Sequence, residues 1–163
     1  MQFTKNLLHV KIGSDNYMLE KYLNQDIGNP KYLFHGSPFK LDKLELRQSK
    51  DNENKANEDN AIFLTSWFLS ACAYAFSRRL KLTNNHYSFS INNNGKLPVM
   101  TFEVDKLDDN LFGYVYIFEK NDNMIKDSNE NTCQYRCYEG LKCNKVIKVY
   151  YKDYEKYFKR ICK

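Results

Sequence analysis

The chain has 163 residues, 42% of them hydrophobic, and carries 25 Lys and Arg against 20 Asp and Glu for a net charge of +5. That length suffices for one domain with its own core. No apolar run reaches the ~18 residues of a membrane-spanning helix, and the modest positive charge suits phosphate-bearing ligands without demanding nucleic acid.

Thirteen Tyr and eleven Phe stand against one Trp. They fall mainly in apolar runs, which assigns them to a core rather than to a base-stacking surface. The start, Met1-Gln-Phe-Thr-Lys, is too polar for a secretory signal, and the cysteines are odd in number (Cys72, Cys133, Cys137, Cys143 and Cys162). Both features predict reduced thiols and a cytoplasmic protein with no membrane partner. Cys133, Cys137 and Cys143 lack the second ligand pair of a zinc site, so no metal is expected.

In chain order, Leu8–Ile12 alternates as a short strand. Ser14-Asp15 caps a helix running to about Asn24, with Met18, Leu19, Tyr22 and Leu23 on one face, and Gly28-Asn-Pro30 is a turn. Lys31–Phe34 is a strand that delivers His35 at its end. Residues 47–60 hold no large apolar side chain and read as an exposed loop. Ile62–Leu64 is a strand, and Ser66 caps a helix from about Trp67 to Leu80, whose Arg78, Arg79 and Lys81 suit its C-terminal dipole.

Tyr87–Ile91 and Val99–Val104 are strands around the hairpin signal Asn92-Asn-Asn-Gly95. Gly113–Phe118 and Lys145–Tyr151 are further strands. Tyr154, Tyr157, Phe158 and Ile161 have helical spacing, as in a short docked helix. Many short strands with two or three helices, without repeats or a dividing linker, predict a single α+β domain over residues 1–163.

Three pieces of this order carry chemistry. The first is Phe34-His-Gly-Ser37, where the absent Cβ of Gly36 permits close backbone approach beside an imidazole. The second is Ile62-Phe-Leu-Thr65 and the small-residue helix carrying Ala71, Ala73, Tyr74 and Ala75. The third is Gly113-Tyr-Val-Tyr116, then Gln134-Tyr-Arg-Cys137, Leu141 and Val146-Ile-Lys-Val149. Taken singly, the histidine reads as a satisfied structural group and the two rings as core residues; their joint order is what points to a site.

Over roughly residues 31–152 this order resembles the ADP-ribosyltransferases of the diphtheria-toxin and poly(ADP-ribose) polymerase type, most closely their small bacterial and viral members. The resemblance implies two packed, mostly antiparallel sheets forming a cleft for NAD, which serves as substrate without a metal. It implies that the His35 side chain holds the adenosine ribose, that Gly36, beside Ser37, pairs its backbone with the nicotinamide amide, and that Phe63 and Tyr74, eleven residues apart, flank the nicotinamide. Phe63 stands where tyrosine is commoner; it can stack but cannot donate a hydrogen bond.

Cleaving the nicotinamide–ribose bond passes through an oxocarbenium-like state that a carboxylate stabilises. The family supplies a glutamate where this chain has Gln134, and Glu139 follows five residues later as an alternative. Glutamine can bond a hydroxyl but provides neither charge nor base, a loss of ~10²–10⁴ in rate. The sequence therefore predicts slow mono-ADP-ribosyl transfer, a glycosyltransferase reaction, to a protein, nucleic-acid or small-molecule acceptor. The alternative is a non-catalytic module on the same fold that binds NAD, ADP-ribose or a protein. An RNA 2′-phosphotransferase shares the broad fold, but the converging cations it needs are not evident. The loop over residues 47–60 is a candidate lid.

Overall fold

A computed structural model describes residues 14–48, 59–82, 110–128 and 133–158. The expected strands Leu8–Ile12, Tyr87–Ile91 and Val99–Val104, and most of the expected 47–60 loop, lie outside these residues. The protein is α+β, with three α-helices and a mostly antiparallel sheet among the described residues.

Helix α1, Ser14–Leu23, begins where Ser14-Asp15 predicted and buries Tyr22. Its exit is pinned by Gln25, whose amide nitrogen donates to the carbonyls of Tyr32 and Ser66 while its oxygen accepts from the Tyr32 amide. Strand β1 runs Tyr32–Ser37 rather than stopping at Phe34. The extension has a tertiary cause: β5, Phe112–Glu119, pairs with all six residues, from Tyr32↔Glu119 to Ser37↔Tyr114. His35 therefore sits inside a strand.

Strands β2 (Lys43–Leu44) and β3 (Arg47–Gln48) follow, then β4 (Asn60–Thr65). Arg47, Gln48 and Asn60 are thus not loop: β3 pairs with the start of β4 through Arg47↔Ala61 and Gln48↔Asn60. Helix α2, Phe68–Leu82, is not capped by Ser66. The Thr65 hydroxyl accepts from the Trp67 amide, while the Ser66 hydroxyl reaches the Cys133 carbonyl at 3.5 Å. Beyond β5 come β6 (Met124–Lys126), β7 (Gln134–Cys137), β8 (Leu141–Lys142) and β9 (Val146–Tyr150). The docked tail is the one-turn α3, Tyr151–Tyr154, and a 3₁₀ turn, Glu155–Tyr157.

The strand order is β6-β7-β4-β1-β5-β9, with β3 on β4 and a separate β2-β8 ribbon. Successive strand residues point to opposite faces, and the two faces carry two cores. Phe34, Val115, Ile117, Ile147 and Val149 pack with Tyr22, α2 and Tyr154. Leu33, Ile62, Leu64, Tyr116, Tyr135 and Cys137 form the second core on the other face. Phe34 meets the Tyr22 and Phe68 rings edge-on at 5.7 and 5.2 Å.

Two glycines set the depth of α2. A Cβ on Gly36 would lie 1.9 Å from the Ala71 carbonyl oxygen, and one on Gly113 would lie 2.6 Å from the Ala75 Cβ. The small-residue helix and these two positions fit because neither side carries a side chain larger than a methyl at the contact. Tyr116, fully buried, bonds the segment after β1 from the opposite face: its hydroxyl donates to the Phe39 carbonyl at 2.6 Å and accepts from the Leu41 amide. Burial pushes this phenol up to about 12.

Candidate functional site

The sheet is closed everywhere along this path except at its middle. The β1–β4 ladder consists of one registered pair, Phe34↔Thr65, while β4 stays paired with β7 from Ile62↔Cys137 to Thr65↔Gln134. Past Phe34, β1 leaves β4 and follows β5. The sheet thus has two wings, β6-β7-β4 and β1-β5-β9, which part at this junction. Backbone edges that diverge within a sheet leave donors and acceptors facing a gap.

Four of the candidate residues, His35, Gly36, Phe63 and Gln134, lie at or next to this junction. Phe34, Thr65 and Gln134 form one row across three strands, on the face covered by α2. Phe63 and Arg136 form the next row, and Gly36 occupies the corresponding position on β1. Alternation directs the His35 side chain to the opposite face, beside its registered partner Tyr116, at 6.4 Å between ring centroids. Where the strands separate, the imidazole spans the opening, and its Nδ1 lies 2.8 Å from the Phe63 carbonyl oxygen. A carbonyl only accepts, so Nδ1 carries the proton, and in the neutral ring Nε2 is the acceptor nitrogen.

Gly36 lies directly under the turn of α2 that contains Ala71, Tyr74 and Ala75. Tyr74 is exposed, and its carbonyl accepts from the Ser77 hydroxyl. Ser37 is buried, with its hydroxyl accepting from the Phe39 amide at 3.1 Å in a local turn. His35, Gly36 and Phe63 are therefore brought together at the opening, with Gln134 one row away.

Glu139 stands apart. It is exposed in the β7–β8 connection, accepting from the Asn123 amide at 3.2 Å.

A polar cluster not anticipated from the sequence adjoins Gln134. Gln134 Nε2 lies 2.7 Å from Asp127 Oδ2, and the Asp127 backbone amide donates to the Gln134 carbonyl at 2.9 Å. Arg136 donates from Nε to Asp127 Oδ1 at 3.0 Å and from a terminal nitrogen to Asp59 Oδ2 at 3.1 Å. Tyr138 donates its hydroxyl to the same Asp59 oxygen at 2.6 Å. That bond, with Arg136, holds the Asp59 carboxyl below its ordinary value; the same bond raises Tyr138. Desolvation works to lower Arg136, but its two carboxylate partners raise it overall.

The Arg136 guanidinium also lies over the Phe63 ring, 5.1 Å from its centroid. Arg136 was findable in principle, because it is two residues from Gln134 and so on the same face. Asp127 had no such signal.

Arg79 departs from the plain helix-end reading. It donates to the Pro38 carbonyl and stacks 4.1 Å from the Phe112 centroid, tying the end of α2 to the segment after β1. Among the described residues no three His, Cys, Asp or Glu side chains are grouped as metal ligands, and no helix is long and apolar enough to cross a membrane. A cavity of about 230 Å³ is lined by Tyr151, Glu155, Lys156 and Phe158, none of which is a candidate residue. The chain matches no family model, no curated protein and no solved structure.

Proposed function

We propose that this protein has an ADP-ribosyltransferase-like fold and binds NAD in the opening between β1 and β4, transferring ADP-ribose slowly to an acceptor. The observation that carries this reading is the parting of β1 from β4 after Phe34↔Thr65, bridged by His35 at the Phe63 carbonyl. A gap of this kind suits a ligand that itself donates and accepts hydrogen bonds in a plane. A carboxamide is such a group, and the Gly36 backbone borders the gap on the β1 side, next to His35. With Nδ1 committed to a carbonyl, Nε2 of the neutral imidazole accepts from a ribose hydroxyl. Phe63 supplies an apolar ring face for a flat heterocycle, and Tyr74 supplies another from the helix.

The His35 imidazole orients, the Gly36 backbone orients, and Gln134 holds a ribose hydroxyl. None of the three abstracts a proton. Transfer then depends on positioning and on the neighbouring carboxylates of Asp59 and Asp127, both paired with Arg136. The same observation supports a second reading, a module that binds NAD or ADP-ribose without turnover, because Gln134 brings no charge of its own to a developing cation.

The test is titration of NAD by calorimetry, together with nicotinamide release, for wild type and His35→Ala. Binding by wild type, weakened about tenfold in His35→Ala, is the expected result. Release of nicotinamide by wild type selects transfer over the binding module. Absence of NAD binding by wild type rejects both.

A further inference from the structure

We propose that Asp127 is a positioning residue for Gln134 and that it makes position 134 a place for an amide rather than a carboxylate. The ligand-directed part of this inference rests on the NAD reading above; the amide–carboxylate pairing does not. A carboxylate only accepts hydrogen bonds, so the atom of Gln134 that faces Asp127 Oδ2 at 2.7 Å must be the NH₂ group. The amide is thereby oriented, with Oε1 directed away from Asp127. An unoriented amide presents donor and acceptor ends interchangeably; in this one Asp127 fixes which end is which.

Asp127 is itself held in place. Its backbone amide bonds the Gln134 carbonyl, so the two residues are neighbours through main chain as well as side chain. Arg136 grips both carboxylate oxygens, through Nε at 3.0 Å to Oδ1 and a terminal nitrogen at 3.3 Å to Oδ2. The Asp127 side chain is 17% exposed and that of Arg136 14%, so the contact is largely shielded from water. Asp59 and Tyr138 extend the cluster around Arg136.

A glutamate at position 134 would put a second carboxylate against Asp127 at hydrogen-bond distance. Two carboxylates so placed do not both ionise; one retains a proton and its pKa rises. One guanidinium already shared with Asp59 does not neutralise both. Glutamine at this position is therefore not simply a lost catalytic glutamate. It is the residue that fits beside the carboxylate at position 127.

The experiment compares wild type, Asp127→Asn, Gln134→Glu and the double variant Asp127→Asn/Gln134→Glu. Thermal unfolding is followed from about pH 4.5 to about pH 8, a range that spans carboxyl titration. In Gln134→Glu the folded-state pKa of the new pair is raised, so its stability is retained at the acid end and lost as pH rises. The Tm deficit relative to wild type should grow toward pH 8 and should vanish in the double variant, where the hydrogen bond simply reverses direction. A Gln134→Glu profile parallel to wild type, or a double variant that keeps the deficit, overturns the pairing.

The same four proteins are titrated with NAD at about pH 8. Affinity about tenfold weaker in Asp127→Asn and Gln134→Glu, recovered in the double variant, is the result expected. Equal NAD binding by wild type and both single variants overturns the positioning role. NAD binding by none of the four, alongside the expected melting profiles, rejects the NAD reading and leaves the pair standing.

Discussion

Strand β1 has two unlike edges. Toward β5 it is paired along its whole length, at six positions, and its Gly36, with Gly113 of β5, admits α2 to contact distances that leave no room for a methyl group. Toward β4 it is registered at Phe34↔Thr65, and a side chain, His35, makes the next connection. The difference lies in what satisfies the backbone. A full ladder and a close-packed helix make the β5 edge rigid, whereas an imidazole is an exchangeable partner that a ligand can use without breaking the sheet. Strand pairing thus supplies the frame, and the candidate residues lie where it is interrupted.

The largest effect should come from closing the space on the rigid side. Gly36→Ala puts a Cβ 1.9 Å from the Ala71 carbonyl oxygen, against backbone that cannot rotate away. The substitution should cost about 3 kcal/mol in chemical denaturation, with α2 displaced and NAD binding lost together. Gly113→Ala, 2.6 Å from a methyl group on the same helix, should cost less, about 1–2 kcal/mol. A Gly36→Ala protein as stable as wild type would mean that α2 is not seated as described.

On the opened side the balance should invert. His35→Ala removes the hydrogen bond to the Phe63 carbonyl, worth about 1 kcal/mol of stability, and by the NAD reading weakens NAD about tenfold. If the imidazole is only structural, the stability loss will appear without a change in nucleotide binding.

Tyr116→Phe tests the strap after β1 and should cost about 1–2 kcal/mol, since the Leu41 amide loses its acceptor. It should also change the alkaline limb. The Tyr116 pKa is raised from 10.0 to about 12, so the neutral phenol's contribution is complete below pH 10 and lost as pH climbs through about 12. Unfolding measured across that window should therefore be less steeply pH-dependent in Tyr116→Phe than in wild type.

The smallest effect is expected at Tyr138→Phe, in the exposed part of the polar cluster. Without the phenol donor the lowered pKa of Asp59 should rise toward 3.8. A depressed carboxyl stabilises above its unfolded pKa and loses that contribution as pH falls, so the variant should differ from wild type near neutrality and converge with it in acid. Carbon-detected NMR titration of the Asp59 carboxyl reads this directly.

Much of the frame was legible from pattern alone. The helices around Tyr22 and Ala71–Ala75, and the strands around Phe34, Phe63, Val115 and Val149, were visible because long periodic apolar segments report the face they bury. The two- and three-residue strands β2, β3, β6 and β8 were not, since segments that short carry no period. Within the site, His35 and Gly36 stood out as a dipeptide, and Gln134 through its place at the head of a late strand. Asp127 was invisible: the contact with Gln134 spans seven residues, and nothing in Lys126-Asp127-Ser128 marks it.

The amino-acid order by itself determined which segments are apolar on one face, where small residues let backbones approach, and which polar groups interrupt those runs. These are local properties, written in period and side-chain size. Only the tertiary structure decided that β1 abandons β4 after a single pair and that an imidazole crosses the resulting gap. It also decided that an aspartate from a neighbouring strand end orients the amide of Gln134. Such contacts depend on the relative placement of distant backbones, which results from packing both cores at once and is encoded in no single segment.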